Sequence, residues 1–307
     1  MKILITGNCG FIGQNLVRLY KEEHDFIGID KLGYASDINA MKLCPTWKLD
    51  LAVDNLDSVF KLKFDAIIHC AAESHVDNSI NSPEPFIYSN YIGTFKLLEM
   101  ARKHKIRFVY ISTDEVMGDL NPEDSPFSDP YRIKPSSPYS ASKAAADCLV
   151  SSYYKTYNMD VVTVRPCNNY GPFQFFEKFI PVVIVNALKN NNIPLYGDGL
   201  NMREWIHVKD NCNGIMSTLY RGRAGEIYNL GSGEEITNLE LIKIILKCLN
   251  KNESLIKFVE DRKGHDRRYF MDSNKSYEVL KWNPKIKLEN GIKETIEWYK
   301  NKMEQCK

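Results

Sequence analysis

No run in this 307-residue chain approaches the roughly 20 consecutive apolar residues that a membrane-spanning helix requires, so no membrane partner is expected. An excess of charge of one sign is also missing. The formal net charge is +1, which gives no reason to expect nucleic acid or an anionic bilayer. The eight cysteines contain no Cys-x-x-Cys pair, and the histidines are not clustered. Neither a zinc site, nor any other metal, nor a disulfide framework is expected. Free thiols in a reducing, cytoplasmic compartment are. Met1-Lys2-Ile3 leads straight into a strand pattern, without the features of a secretory leader. Repeats and low-complexity segments are absent.

What is there is alternation. Short apolar runs at Met1–Thr6, Phe26–Asp30, Trp47–Leu51, Asp65–Cys70, Arg107–Ile111 and Val161–Arg165 read as buried parallel strands. Helical patterns lie between them, from Phe11 to about Glu23, from Pro83 to His104 and from Ser137-Pro138 onward. The class predicted is α/β: a doubly wound parallel sheet of Rossmann type. After Pro166 the alternation breaks down, and a second, smaller α/β domain for substrate is expected. The boundaries read as 1–166 plus 204–231 for the first domain and 167–203 plus 232–307 for the second. Thr237 to Glu240 carries a capping-box pattern, and Leu288 to Met303 has helical spacing.

Three stretches carry chemistry. Gly7-Asn8-Cys9-Gly10-Phe11-Ile12-Gly13 joins the first strand to its helix, where glycines admit a pyrophosphate to the helix start. Asp30 ends the next strand and is placed to accept from a ribose hydroxyl. It would repel a 2′-phosphate, so NAD is expected over NADP, although Lys31 weighs against this. The strand ending at Ile111 delivers Ser112-Thr113-Asp114-Glu115 beyond its carboxyl end, where open α/β sheets bind ligands. Tyr139 and Lys143 share one helix face. An ammonium there is expected to lower the phenol and make Tyr139 a base. Arg203, Lys178 and Arg262 are expected to aim at a pyrophosphate, since guanidinium forks bind phosphate oxygens in pairs.

With these residues in place, the chain resembles the extended short-chain dehydrogenase/reductases, and within them the nucleoside-diphosphate-glucose 4,6-dehydratases. The resemblance runs nearly end to end. Its marks are Gly7 to Gly13, Asp30-Lys31-Leu32, Ala71 to Asp77, Ser112 to Val116, Tyr139 to Lys143, Asn168 to Pro172, Glu177-Lys178, Tyr196 to Gly199, Arg203, Tyr228-Asn229 and Asp261 to Tyr269. Thr113-Asp114-Glu115 is the most specific of them. Departures are mild: Asn8-Cys9 replaces a commoner Gly-Ala, Met117 a Tyr, and Ser89 a Thr.

The resemblance implies an enzyme that dehydrates an NDP-glucose to the 4-keto-6-deoxy sugar, for deoxysugar biosynthesis of the rhamnose type, recycling NAD internally. It assigns catalysis to Thr113, Asp114, Glu115, Tyr139 and Lys143. The cofactor set it implies is Gly7, Gly10, Phe11, Ile12, Gly13, Asp30, Lys31, Leu32, Asp50, Leu51, Ala71, Ala72, Ser74, Ser89, Tyr139, Lys143 and Asn169. The substrate set is Ser74, Thr113, Asn168, Lys178, Phe179, Pro194, Tyr196, Arg203, Asn229, Arg262 and His265. A homodimer paired through the 83–104 and 139–157 helices is implied as well. Thymine and uracil remain open as the base, because one methyl discriminates by only about 1–3 kcal/mol. A sugar-nucleotide epimerase or decarboxylase would need Tyr139 and Lys143 but not Asp114-Glu115. A non-catalytic NAD-binding regulator could dispense with Tyr139 or Lys143.

Overall fold

The computed structural model describes residues 1–128 and 130–305. Its strands in chain order are β1 (Lys2–Thr6), β2 (Asp25–Asp30), β3 (Thr46–Lys48), β4 (Ala66–His69), β5 (Arg107–Ile111), β6 (Val161–Pro166), β7 (Asn168–Tyr170), β8 (Ile193–Tyr196), β9 (Met202–His207), β10 (Ile227–Leu230), β11 (Glu235–Thr237) and β12 (Ile256–Val259). The helices are α1 (Phe11–Tyr20), α2 (Asp57–Phe60), α3 (Val76–Asn81), α4 (Glu84–Phe86), α5 (Gly93–His104), α6 (Pro138–Tyr157), α7 (Phe179–Leu188), α8 (Val208–Arg221), α9 (Asn238–Leu249), α10 (Asn274–Leu280) and α11 (Leu288–Gln305).

A seven-stranded parallel sheet runs in the order β10-β6-β5-β4-β1-β2-β3. Its strands are apolar because both faces are covered. One face packs Ile3, Ile5, Val109 and Val164 under α1 and α8; the other packs Leu4, Ile67, Phe108 and Val161 under α5 and α6. The order reverses between β4 and β1, the switch point at which such sheets bind ligands. The smaller unit has a three-stranded sheet, β11-β9-β7, and a parallel pair, β12-β8. Its own core gathers Tyr170, Ile184, Leu195, Leu241, Ile245 and Ile296. No helix among the described residues is long and apolar enough to cross a membrane.

Three elements differ from the sequence expectation. The first helix stops at Tyr20, because residues 21–24 must turn to reach β2. The third strand is only Thr46–Lys48, since Asp50 closes a turn by accepting from the Ala52 N–H at 2.8 Å. The long helix expected from Pro83 is interrupted by a π-helical turn over Ile87–Ile92. That turn brings Asn90 inward, where its amide bonds the Glu73 backbone and, at 2.9 Å, the Ser142 hydroxyl. Inserted residues of this kind gather at functional sites.

Candidate active site

A long cavity crosses the carboxyl ends of β1, β2, β4 and β5. Gly7 adopts φ +70°, and a Cβ there would lie 2.8 Å from the Ala71 backbone. At Gly13 a Cβ would lie 2.2 Å from the Gly7 carbonyl. The glycines therefore let strand, turn and helix close up. Gly10 caps α1 without any side-chain hydrogen bond, and the first turn of α1 holds no acidic residue. Free N–H groups at the helix start thus face the cavity, as a pyrophosphate requires. Asp30 is buried and accepts from the Cys9 N–H at 2.9 Å, the Leu32 N–H at 2.8 Å and the Ser36 hydroxyl at 3.0 Å. Lys31 is held by the Glu73 carboxylate and by Ser89 at 2.8 Å. Its charge is compensated, which removes the objection to NAD. These residues fit a dinucleotide with an unphosphorylated ribose.

Fifteen of the expected cofactor residues line this cavity: Gly7, Gly10, Phe11, Ile12, Gly13, Asp30, Lys31, Asp50, Leu51, Ala71, Ala72, Ser74, Ser89, Tyr139 and Lys143. Leu32 and Asn169 are not in its lining. Leu32 serves Asp30 through its backbone at φ +57°. The Asn169 amide donates to the Cys167 carbonyl at 2.9 Å, leaving its Oδ1 buried and unpartnered. Sequence reasoning missed Tyr34, Ser36, Glu73, Gln174, Phe175 and Glu177, which also line the cavity. Tyr34 reaches across to donate to Glu177 at 2.8 Å and packs edge-on against Phe175. The aromatic run Phe173 to Phe176 beside Glu177-Lys178 was the available signal.

Of the five expected catalytic residues, Tyr139 and Lys143 line the cavity, whereas Thr113, Asp114 and Glu115 follow its lining residues Ile111 and Ser112 without being in the lining themselves. Thr113, two residues past β5, is extended and caps a short 3₁₀ turn, Asp114–Met117. Its hydroxyl donates to Asp114 Oδ1 at 3.0 Å, and among the influences on the Tyr139 phenol it is the one that lowers it. Asp114 is 2% exposed, and its Oδ2 is buried with no partner. Burial, then the neighbouring Glu115, pushes the Asp114 carboxyl up to about 7. Burial also raises Glu115, but Arg262, Arg203 and Lys178 all pull it back toward the ionised form. The two carboxyls thus sit in different fields, Glu115 among the cations and Asp114 behind it.

Tyr139 stands in the first turn of α6, which Ser137 and Ser140 close with a reciprocal capping box. The expected depression of its phenol is not found. Burial and the Glu115 charge push Tyr139 above its ordinary value, while Lys143, one turn on, donates instead to the Ile111 carbonyl at 2.6 Å. Burial lowers Lys143 to about 8.

The expected substrate residues divide. Lys178 and Ser74 line the cavity and are bonded to each other, Nζ to carbonyl at 2.7 Å. Arg262 pairs with Asp77 at 3.9 Å, and its Nε is buried and unpartnered. Tyr196 donates to the same Asp77 at 3.4 Å and meets the His265 ring edge-on. Pro194 and Tyr196 are exposed on β8, Phe179 stacks on Trp205, and Asn168 pairs with Trp205 in the sheet. Arg203 does not present its fork to the cavity. It holds the Met202 and Asp266 carbonyls, both at 2.7 Å, against the Tyr269 ring. Asn229, on the edge strand β10, donates to the Asp272 carbonyl at 2.9 Å and keeps a buried, unpartnered Oδ1.

Comparison with known proteins accords with this geometry. A family model described as GDP-mannose 4,6 dehydratase matches residues 4–295. A dTDP-glucose 4,6-dehydratase from Actinoplanes sp. is 41% identical over 315 residues, covering 98% of each chain. The crystal structure of dTDP-glucose 4,6-dehydratase from Bacillus anthracis in complex with NAD superposes with a TM-score of 0.91 at 40% identity, covering 99% of this chain and 98% of that one. The Streptomyces venezuelae dTDP-glucose 4,6-dehydratase, with NAD and TYD bound, gives 0.93 at 39% identity, with coverage of 99% and 98%. Matched over almost its whole length, the chain belongs to the nucleotide-sugar 4,6-dehydratase family.

Proposed function

We propose that the protein is an NAD-dependent dTDP-glucose 4,6-dehydratase, a lyase that forms dTDP-4-keto-6-deoxy-glucose with its cofactor regenerated in each turnover. The observation that carries the reading is the buried, unpartnered Oδ2 of Asp114, beside Thr113 and Glu115 and opposite Tyr139. Epimerase chemistry has no use for a carboxyl held ready to donate. Identity of about 41% to curated dTDP-glucose dehydratases favours thymine over uracil as the base.

Mechanism follows from the residues. Bound NAD supplies the reversible two-electron acceptor of the reaction, cationic in its oxidised form. Tyr139 takes the O4 proton while Thr113 orients O4 from its other side. The free protein keeps Tyr139 as a phenol, so its ionisation is driven in the complex, with the Lys143 ammonium as the protein's contribution. The C4 ketone then acidifies the C5 proton, and Glu115 removes it. Asp114 gives its proton to O6, which leaves as water. Glu115 returns a proton to C5 as C6 is reduced. Lys178 and Arg262 take the pyrophosphate, with Tyr196, Pro194 and His265 at the nucleoside end and Asn168, Ser74 and Phe179 toward the sugar. Arg203 and Asn229 act by holding the loops around residues 266 and 272.

We also propose the division 1–166 with 204–231 against 167–203 with 232–307. Support comes from β10, which joins the large sheet, and from the separate core around Ile184 and Ile245, although β9 carries the small sheet past residue 204 and Tyr269, Met271, Leu280 and Trp282 pack into the core of the large one. A homodimer is supported by Ile87, Tyr88, Phe95, Tyr154 and Tyr157, exposed along the adjoining 84–104 and α6 segments. A cytoplasmic location is supported by thiols left free among the described residues.

Purified protein given dTDP-glucose and UDP-glucose separately should convert the first faster to a product lacking the C6 hydroxyl. A product that keeps this hydroxyl and is inverted at C4 contradicts the reading.

A further inference from the structure

The inward face of α6 carries one more charged group after Tyr139 and Lys143. Asp147 follows a turn later, 2% exposed. Its Oδ2 accepts from the Ser112 hydroxyl at 2.9 Å and from Arg165 Nε at 2.9 Å. Arg165 is 1% exposed and donates a further N–H to the Pro130 carbonyl at 2.7 Å. One ion pair therefore ties α6 to the end of β5, to β6 and to the loop before Ser137. Stability alone is a poor reason for such a pair, because desolvation offsets most of its attraction.

Lys143 offers a better one. Its ammonium is buried, bonded to the Ile111 carbonyl and 4.4 Å from the centre of the Tyr110 ring. From β4 it is faced by His69, which lies between the Thr6 and Thr94 hydroxyls and is driven neutral by burial, and by Cys70, a thiol pushed up to about 12. From β5 comes Tyr110, held as a phenol by burial. From α6 come Tyr139 and Asp147. The aspartate is the carboxylate of this group, one helical turn from Lys143, with its Oδ2 held by Arg165 and Ser112.

We propose that Asp147 is a positioning residue of the dehydration, supplying the fixed negative charge that keeps Lys143 protonated beneath Tyr139. The proposal rests on the catalytic reading of Lys143. Burial lowers that lysine to about 8, and Asp147 is the leading influence in the other direction. Without the anion, less opposes the loss of that proton.

The test follows the first half-reaction, as NADH absorbance after mixing holoenzyme with dTDP-glucose, across neutral and alkaline pH. Wild-type protein should lose rate on the alkaline side as Lys143 deprotonates. In Asp147→Asn that limb should move down by about one pH unit or more, a roughly tenfold loss at a fixed alkaline pH. Asp147→Glu should restore part of the shift. Should Asp147→Asn fail to fold with Arg165 left unpaired, Asp147→Asn/Arg165→Met removes both charges and should move the limb in the same direction by a smaller amount, since the opposing guanidinium is gone as well. A limb that stays at the wild-type pH in the folded variant, with only the melting temperature lowered, overturns the proposal. Lys143→Met separates this from the reading beneath it. If that variant keeps wild-type rate, the catalytic role of Lys143 fails, whatever Asp147 does.

Discussion

Asp114 and Glu115 are adjacent in the chain and face different fields. Burial raises both, but Arg262, Arg203 and Lys178 draw Glu115 back toward ionisation, whereas the Glu115 charge adds to the rise of Asp114, which has one oxygen bonded to Thr113 and the other free. Two carboxyls whose environments push them apart can divide acid from base. Only the protonated form of Asp114 can donate to O6. Elimination should therefore fall roughly tenfold per unit as pH rises past about 7, and fall again on the acid side as Glu115, the base raised by burial, takes up a proton. Following the decay of bound NADH in single turnovers checks this. Asp114→Asn should lower elimination by about 10²–10⁴-fold and abolish the alkaline limb; an unchanged alkaline limb would assign the acid elsewhere. The residue types of this site were legible in sequence, since Thr113, Asp114, Glu115, Tyr139 and Lys143 name their own chemistry. The state of Tyr139 was not. Spacing says that Lys143 lies on the same face, but burial and the Ile111 carbonyl decide where the ammonium points.

At the scale of elements, the strand–turn–helix start and the parallel strands were readable from apolar runs and glycine spacing. Gly13→Ala would set a Cβ 2.2 Å from the Gly7 carbonyl, so the turn must open. The variant should purify with little or no NAD, measured by nucleotide release on denaturation. The π-helical turn at Ile87–Ile92 was not readable, because its cause is tertiary: Asn90 is drawn in by Glu73 and Ser142. The same holds for the roof of the cavity, where Tyr34 from one loop meets Glu177 from a distant one. Tyr34→Phe removes that hydrogen bond, and the one its hydroxyl accepts from the Asn78 amide, while keeping the ring against Phe175. NAD should leave this variant several-fold faster in a dilution assay, as loss of hydrogen bonds of about 0.5–1.5 kcal/mol each implies; an unchanged release rate would show that the roof does not retain the cofactor.

At the scale of the molecule, the class of the large sheet was readable from its alternation, though its strand order was not, and the sheets of the smaller unit were not readable at all. Its strands are three or four residues long except for β9, and β7, β9 and β11 come together across intervals that no local pattern records. The exposed apolar residues Ile87, Tyr88, Phe95, Tyr154 and Tyr157 predict a dimer at micromolar concentration by light scattering; a monomer would leave that surface without a partner. The central claim, that the cavity completes an oxidation, an elimination and a reduction in sequence, is tested most directly by Glu115→Gln. The amide keeps the shape and removes the base. Mixed with dTDP-glucose, this variant should build up enzyme-bound NADH, seen by its absorbance, and release little 4-keto-6-deoxy product, while Tyr139→Phe should give neither signal. Near-wild-type dehydration by Glu115→Gln, or NADH accumulating in Tyr139→Phe, would contradict the account.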